Sequence, residues 1–251
     1  MMPLPWRHLL PALLAYLLIH SPAAAADKAL VAVAANFKAT AEQLASAFQT
    51  TSGHELVLIS GSTGKLYTQI TNGAPFHVFL AADSERPEKL HAAGITTEPP
   101  RTYASGQLGI WVRGEPSTES EHADRLGGLR RIALANPNLA PYGSAAMEVI
   151  DHLAVGDQLQ GRLAFGENVA QAYALVASGA ADGGLLAWSL LLDGGRTGES
   201  WPVPQAWHSP IDQDAVLLPA GADNAAAAAF FEYLFSPAAR ALIEARGYSV
   251  R

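Results

Sequence analysis

The sequence contains no cysteine, and that absence excludes several features at once. None of its 251 residues can form a disulfide, supply a thiolate to a metal ion, or carry a lipid attached at a cysteine behind a signal segment. Any attachment to a membrane would therefore have to come from an apolar segment of the chain.

Motifs of secreted hydrolases and nucleotide-binding proteins are missing as well. The chain has neither the G-x-S-x-G elbow of a serine hydrolase nor the H-E-x-x-H pair of a zinc protease. A phosphate-binding P-loop around Gly64-Lys65 fails twice, because Ile59 stands where the motif needs glycine and Leu66 where it needs serine or threonine. Asp83 closes an apolar run and is more simply a helix cap than a catalytic carboxylate. We therefore predict a binding protein without catalytic residues or cofactor, and keep a secreted α/β hydrolase as a remote alternative.

Positive charge is scarce in this chain. Lysine and arginine together number 16, against 23 aspartate and glutamate residues, so the formal net charge is −7. An acidic surface argues against nucleic acid as a partner. A bound anion would have to be held by local dipoles, because the overall field of the protein does not attract it.

The N-terminus has the pattern of a secretory signal peptide over residues 1–26. Arg7 precedes an apolar run at residues 9–19, and the alanines at 24–26 offer an A-x-A cleavage site. The run is short for a bilayer span, which makes a retained membrane anchor the weaker alternative. We therefore predict a cleaved, periplasmic protein that is monomeric by default and has no stable membrane insertion.

Short apolar strands alternate with helical patterns along the rest of the chain. This alternation predicts an α/β protein built on parallel sheets with helices on both faces, and ligands at the carboxyl ends of the strands. The predicted strands lie at residues 30–34, 56–59, 78–81, 107–112, 131–135, 184–187 and 215–218. The predicted helices lie at about 36–49, 66–70, 87–93, 142–153 and 168–177, with two more at the C-terminus.

Polar helix starts follow several of these strands. Ser62 or Thr63 is a natural N-cap between a buried strand and a helix, and Asn36 caps the first predicted helix. A helix N-terminus offers unpaired N–H groups and a partial positive charge, so it binds an anion without a charged side chain. Two further helix starts contain Tyr142 and Val169. If the four starts converge, they form a cage of N–H and hydroxyl donors; if they do not, they are four ordinary capped helices.

These features together resemble the periplasmic molybdate-binding protein of ABC transporters, the ModA family, over nearly the whole mature chain. The resemblance rests on segments that occur in the family's order and spacing. They are VAVAANF at 31–37, GSTGKLY at 61–67, GAPF at 73–76, VFLAAD at 78–83, GENV at 166–169, the segment 210–216 and GY at 247–248.

The family implies a two-lobe, type II periplasmic-binding-protein fold with two hinge crossings, near residues 105–107 and 211–214. Lobe 1 is then residues 27–105 plus 213–251, and lobe 2 is residues 106–212. The oxyanion lies in the cleft between the lobes, and their closure buries it. The partners implied are molybdate or tungstate and a transporter permease with its ATPase.

The resemblance also implies which groups contact the oxyanion. The residues at the family's contact positions are Asn36 with Ala35 beside it, Thr63 with Ser62 beside it, Tyr142, and Val169 through its backbone N–H. Molybdenum enters only as the centre of the oxyanion, held by Asn36, Thr63, Tyr142 and Val169. Ala187 stands where some members supply a tyrosine hydroxyl, and Ala35 and His77 also depart from residues common in the family, so the number of donors stays open.

The physics of burial points to the kind of anion. A tetrahedral dianion loses hydration in a closed cleft, and its oxygens have to receive hydrogen bonds in exchange. Such bonds contribute about 1.5–3 kcal/mol each, so about six or seven offset the desolvation without a counter-cation. Neutral donors favour a fully deprotonated oxyanion, because a protonated one presents its own O–H to a donor. Tungstate is nearly the size of molybdate; a receptor for sulfate or phosphate is the alternative within this fold.

Replacing Thr63 by alanine should weaken oxyanion binding by about 1–3 kcal/mol, because one ligand oxygen loses its donor. Lys65→Ala is the matched control in the same helix start, since Lys65 is expected to point to solvent despite looking like a phosphate-binding lysine. Calorimetric titration of both variants makes the comparison. Equal losses would mean that a cation binds the anion, and unchanged affinity in Thr63→Ala would remove Thr63 from the site.

Overall fold

Two sheets, each covered by helices, organise the part of the chain that a computed structural model describes, which is residues 27–114, 122–192 and 197–250. The predicted signal peptide lies outside these residues. Sheet A with its helices is called lobe 1, and sheet B with its helices is called lobe 2. The α/β class and the two-lobe architecture predicted from the sequence are thereby confirmed.

The elements of the described residues are numbered in chain order. The strands are β1 (Lys28–Ala34), β2 (Glu55–Gly61), β3 (Val78–Leu80), β4 (Arg101–Gly106), β5 (Leu108–Val112), β6 (Ile132–Ala135), β7 (Leu163–Gly166), β8 (Gly183–Ala187), β9 (Glu199–Pro202) and β10 (Ile211–Leu217). The helices are α1 (Lys38–Ser52), α2 (Thr63–Thr71), α3 (Glu85–Ala92), α4 (His122–Gly128), α5 (Pro141–His152), α6 (Gly156–Leu159), α7 (Val169–Ala177), α8 (Pro219–Ala222), α9 (Ala225–Tyr233) and α10 (Pro237–Ala245).

Both sheets are mixed, so the expectation of purely parallel sheets was wrong. Sheet A has the strand order β2-β1-β3-β10-β4, and sheet B the order β7-β6-β8-β5-β9. β1 runs parallel to β2 and β3, and β6 runs parallel to β7 and β8. β10 and β5 run antiparallel to both of their neighbours. Each of these two strands enters its sheet from the other lobe rather than after a crossover helix, and only the crossover connection produces a parallel neighbour.

The chain passes between the lobes at two places. It leaves sheet A after β4 and enters sheet B at β5, with Gln107 between the two strands. It returns to lobe 1 between β9 and β10. The strand β10 begins at Ile211, two residues before residue 213, at which the sequence analysis began the second part of lobe 1. The C-terminal segment lies beside the first crossing, because the N–H of Ser105 donates to the carbonyl of Ser249 at 2.7 Å and the reverse bond is 3.0 Å long.

The parallel strands deliver the chain to helix starts on the side that faces the other lobe. β2 leads into α2, β6 into α5 and β7 into α7, while β1 leads through a 3-10 turn at Ala35–Phe37 into α1. Ser62 caps α2, as the sequence predicted. The expectation that Asn36 caps the first helix was wrong: it lies within the 3-10 turn, and its carboxamide bonds to distant parts of the chain instead.

Apolar side chains fill both faces of sheet A and the interior of lobe 2. Phe37, Leu44 and Phe230 pack on one face of sheet A, and Leu66, Phe79 and Leu90 pack on the other. The cluster of lobe 2 includes Ile110, Leu134 and Leu185. Because every one of these side chains is essentially inaccessible to solvent, each lobe has its own core and presents its strand ends from a rigid base.

Gly143 should be needed for the approach of α5 to β6. A β-carbon there would overlap the carbonyl oxygen of Ala135 and lie 2.8 Å from the nitrogen of Pro137. Both are backbone atoms, so Gly143→Ala should lower the free energy of unfolding by about 1–3 kcal/mol. Gly128→Ala, with no atom within 4 Å of the added carbon, should be close to neutral. Urea unfolding of the two ligand-free variants and the wild type measures the free energy of unfolding. Equal values for Gly143→Ala and Gly128→Ala would contradict the close packing of α5 on β6.

Candidate functional site

Four helix starts surround one small cavity between the lobes. The space inside it that no atom occupies, part of which is open to solvent, is about 190 Å³. The lining residues are Ala34, Ala35, Asn36, Ser62, Thr63, Ala82, Ala140, Pro141, Tyr142, Asn168 and Val169. The structure thus brings together all six residues proposed from the sequence: Ala35, Asn36, Ser62, Thr63, Tyr142 and Val169. The dimensions suit a small ion.

The start of α2 leaves one backbone donor for this cavity. Ser62 Oγ accepts the N–H of Lys65 at 3.4 Å, so the cap satisfies that group. The N–H of Gly64 donates to the carbonyl of Leu139 in lobe 2 at 2.9 Å. The N–H of Thr63, at the first helical position, has no carbonyl of its own helix to bond. It is therefore available to a ligand in the cavity.

The start of α7 is satisfied in a similar way. Asn168 Oδ1 accepts the N–H groups of Ala170 and Gln171 at 3.0 and 3.1 Å. The carbonyl of Asn168 accepts the N–H of Ala172 at 3.1 Å. The N–H of Val169 is the one first-turn donor that this cap leaves over, and Val169 lines the cavity.

The start of α5 also leaves one backbone N–H group for the cavity, and here a proline is part of the first turn. Pro141 occupies the first turn and has no N–H to satisfy. The carbonyl of Ala140 accepts the N–H groups of Gly143 and Ser144 at 2.8 and 3.3 Å. The N–H of Tyr142 is left for the cavity. Together with the 3-10 turn that carries Asn36, these helix starts direct their partial positive charge to one point.

Two hydroxyl groups lining the cavity are oriented as donors. Thr63 Oγ1 accepts the N–H of Ala82 at 3.2 Å, and Ser62 Oγ accepts the N–H of Lys65. A hydroxyl that already accepts a hydrogen bond keeps its hydrogen to donate elsewhere. Among the described residues that line the cavity none is charged, so the polar groups that it offers are neutral.

The polar ends of Asn36 and Tyr142 point behind the cavity. Asn36 Nδ2 donates to Gln213 Oε1 at 3.0 Å and to the hydroxyl of Tyr248 at 3.2 Å. The hydroxyl of Tyr142 accepts from Gln213 Nε2 at 3.3 Å. Asn36 and Tyr142 therefore face a ligand with backbone and ring rather than with these groups. Sequence reasoning assigned no role to Gln213 or Tyr248, although both lie in segments that carry the family resemblance.

Direct contacts join the lobes around the cavity. Lys65 Nζ pairs with Glu167 of lobe 2 at 3.0 Å, with 53% of the lysine side chain exposed. Arg86 Nη2 donates to the carbonyl of Asn138 at 3.2 Å. Lys65 therefore lies outside the cavity lining, and its exposed ion pair contributes little to stability. The two lobes therefore touch each other around the cavity.

Asp83 is a structural residue at the start of α3. Its Oδ1 accepts the N–H of Arg86 at 3.0 Å, and its other oxygen pairs with the guanidinium of the same residue. Burial raises the pKa of the Asp83 carboxyl, although the contacts with Arg86 oppose that shift. This is the capping role expected from the sequence, and Asp83 does not line the cavity.

Metal and membrane sites were sought over the described ranges 27–114, 122–192 and 197–250. No group of three or more histidine, aspartate or glutamate side chains there is arranged to hold a metal ion. In the same ranges no helix combines the length and the apolar character needed to cross a bilayer.

Comparisons with known proteins agree over most of the chain. A family model of bacterial extracellular solute-binding proteins matches residues 29–249. The molybdate-binding protein ModA of Rhodobacter capsulatus is 41% identical over 226 residues, covering 90% of this chain and 89% of the relative. ModA of Azotobacter vinelandii is 41% identical over 233 residues, covering 91% and 92%. The solved periplasmic molybdate-binding protein of Azotobacter vinelandii superposes with a TM-score of 0.83 at 38% identity, over 89% of this chain and 99% of that one.

Three tyrosine hydroxyls behind the cavity should make stability fall at alkaline pH. Burial raises the pKa of Tyr248 to about 12, and raises those of Tyr103 and Tyr142 well above the ordinary value. Above about pH 10 the unfolded chain releases these protons while the folded chain retains them, so the free energy of unfolding decreases as pH rises. Urea unfolding below and above that pH measures the slope. Tyr248→Phe should reduce it, and an unchanged slope would contradict this assignment.

Proposed function

Because this chain belongs to the bacterial extracellular solute-binding proteins, and within them to the ModA family, we propose that it captures molybdate in the cleft between its lobes. The observation that carries the proposal is the small cavity in which helix starts from both lobes leave single N–H donors. Thr63 approaches from lobe 1, and Tyr142 and Val169 approach from lobe 2. A ligand bound to all of them holds the lobes together.

The donor set matches a tetrahedral dianion. The backbone N–H groups of the four helix starts and the hydroxyls of Ser62 and Thr63 provide about six donors, each worth about 1.5–3 kcal/mol to an anion. Burying a charge without hydrogen-bond partners is very costly, so an anion in this cavity depends on these donors at its oxygens. We assign the ligand contacts to Ala35, Asn36, Ser62, Thr63, Tyr142 and Val169, with Asn36 and Tyr142 acting through backbone N–H groups and the Tyr142 ring.

Selectivity follows from the fixed direction of these donors. The backbone N–H groups can only donate, and the Ser62 and Thr63 hydroxyls, which each accept one bond within the protein, keep their hydrogens to donate to a ligand. A hydrogen phosphate would leave its own O–H facing donors, at a cost in affinity. Sulfate carries no proton but is smaller than molybdate, so some buried donors would stay unpaired. Tungstate, nearly equal in size to molybdate, should bind about as well.

The biological setting is that of a transport receptor. ModA-like proteins bind molybdate and work with ABC transporters, and we propose that this chain delivers its anion to a transporter permease with its ATPase. In this proposal residues 1–26 are removed on export and the mature protein acts in the periplasm. It catalyses no reaction and needs no cofactor, since the donors in the cavity are suited to holding an anion rather than to transferring a proton.

Calorimetric titration of the ligand-free mature protein tests the proposal. We expect one-to-one binding of molybdate and tungstate, with sulfate and phosphate weaker by about a hundredfold or more, the effect of about two unpaired donors. If sulfate binds more tightly than molybdate, the proposed ligand is wrong and sulfate takes its place. If no oxyanion gives a heat of binding, the proposed function is wrong.

A pair of threonine variants in α2 tests the cavity itself. Thr63→Val removes a lining hydroxyl, whereas the hydroxyl of Thr68 bonds to the carbonyl of Gly64 at 3.0 Å and does not line the cavity. Thr63→Val should weaken molybdate binding about tenfold or more, and Thr68→Val should leave it nearly unchanged. Equal effects would place the ligand elsewhere.

A further inference from the structure

We propose that Gln213 and Tyr248 are positioning residues that hold the lobes closed over the ligand. They lie at the centre of a buried hydrogen-bond network behind the cavity, called the closure network. Its members are Asn36, Tyr103, Tyr142, Ser189, Gln213 and Tyr248. This inference rests on the proposed function of the cleft, because it assigns to these side chains a part in anion capture.

The carboxamide of Gln213 connects ligand-lining residues of both lobes. Gln213 lies in β10 with none of its surface exposed. Its Oε1 accepts Asn36 Nδ2 at 3.0 Å and the hydroxyl of Tyr103 at 3.1 Å, both in lobe 1. Its Nε2 donates to the hydroxyl of Tyr142 in lobe 2 at 3.3 Å. One side chain therefore sets the relative positions of Asn36 and Tyr142, which border the cavity from opposite sides.

The hydroxyl of Tyr248 makes a second connection between the lobes. It accepts from Asn36 Nδ2, and it lies 2.8 Å from the carbonyl oxygen of Asn36 and 2.9 Å from Ser189 Oγ. Ser189 follows β8 in lobe 2, and its Oγ donates to the same carbonyl at 3.3 Å. The bridge between Ser105 and Ser249 holds the C-terminal segment that carries Tyr248 against β4.

Gly106, at the first crossing between the lobes, packs directly against the closure network. It is the last residue of β4, directly before the chain enters lobe 2. A β-carbon at Gly106 would overlap the hydroxyl of Tyr142 and lie 2.6 Å from Gln213 Nε2. The network therefore lies directly beside the first passage of the chain between the lobes.

The cross-lobe bonds of the network belong to the closed arrangement. A rotation that opens the cleft carries Tyr142 and Ser189 away from Gln213 and Tyr248, and water replaces the lost bonds. Removing such a bond lowers the population of the closed form, and the apparent affinity falls by the same factor. Because anions enter the open form, the change should appear in the dissociation rate rather than in the association rate.

The experiment compares Gln213→Met and Tyr248→Phe with the wild type. Methionine is close to glutamine in length but cannot make the bonds, and phenylalanine removes one oxygen. Thr96→Val is the matched control, since Thr96 is buried in lobe 1 and its hydroxyl bonds to His91 and Glu98, which lie outside the closure network. For each protein, stopped-flow displacement gives the rates for molybdate, and small-angle scattering gives the compaction on binding.

We expect molybdate to dissociate about tenfold or more faster from both network variants, with association changed by less than about threefold and with reduced compaction. Thr96→Val should keep wild-type rates even if it lowers stability. Wild-type dissociation and compaction in the network variants would overturn the proposal. If Gln213→Met does not fold, Tyr248→Phe decides alone. If the wild type binds sulfate and not molybdate, the proposed ligand fails, while the same comparison made with sulfate still tests the network.

Discussion

The cost of removing a doubly charged anion from water without a counter-cation is the constraint on which the rest of this structure depends. Neutral N–H and O–H groups have to replace the hydration shell, and one helix start supplies too few of them. Several helix starts must therefore meet at one point. Two sheets whose carboxyl ends face each other across a cleft provide that meeting point, and in the proposed function a movement of the lobes lets the anion enter before it is enclosed.

The first turns of these helices differ in sequence but leave a donor in the same way. A serine caps α2, an asparagine caps α7 and a proline begins α5, and in each helix start the cavity-lining N–H is the one that local bonds do not use. Glycine completes the arrangement where backbones approach closely: Gly64 bonds across the cleft, and Gly143 lies against β6. Because these donors are short-range dipoles, the proposed anion site does not depend on the net charge of the protein, which is negative.

Closure links the chemistry of the cavity to transport. In the proposed function, closure of the lobes over the anion distinguishes the loaded receptor from the empty one. Exposed contacts such as Lys65 with Glu167 contribute little to that difference. Buried bonds through Gln213 are stronger determinants, because no solvent competes with them while the lobes are together.

The sequence by itself determined the features that depend on near neighbours in the chain. Alternation of apolar runs with helical patterns predicted the α/β class, Ser62 as a cap follows from residues within one turn, and the missing cationic motif pointed to neutral donors. The tertiary structure alone decided the antiparallel directions of β5 and β10 and the convergence of the four helix starts. It also turned the Asn36 carboxamide toward Gln213, 177 residues away in the chain. Local patterns encode turns and caps, whereas a bond between such distant residues exists only after the lobes have folded and met.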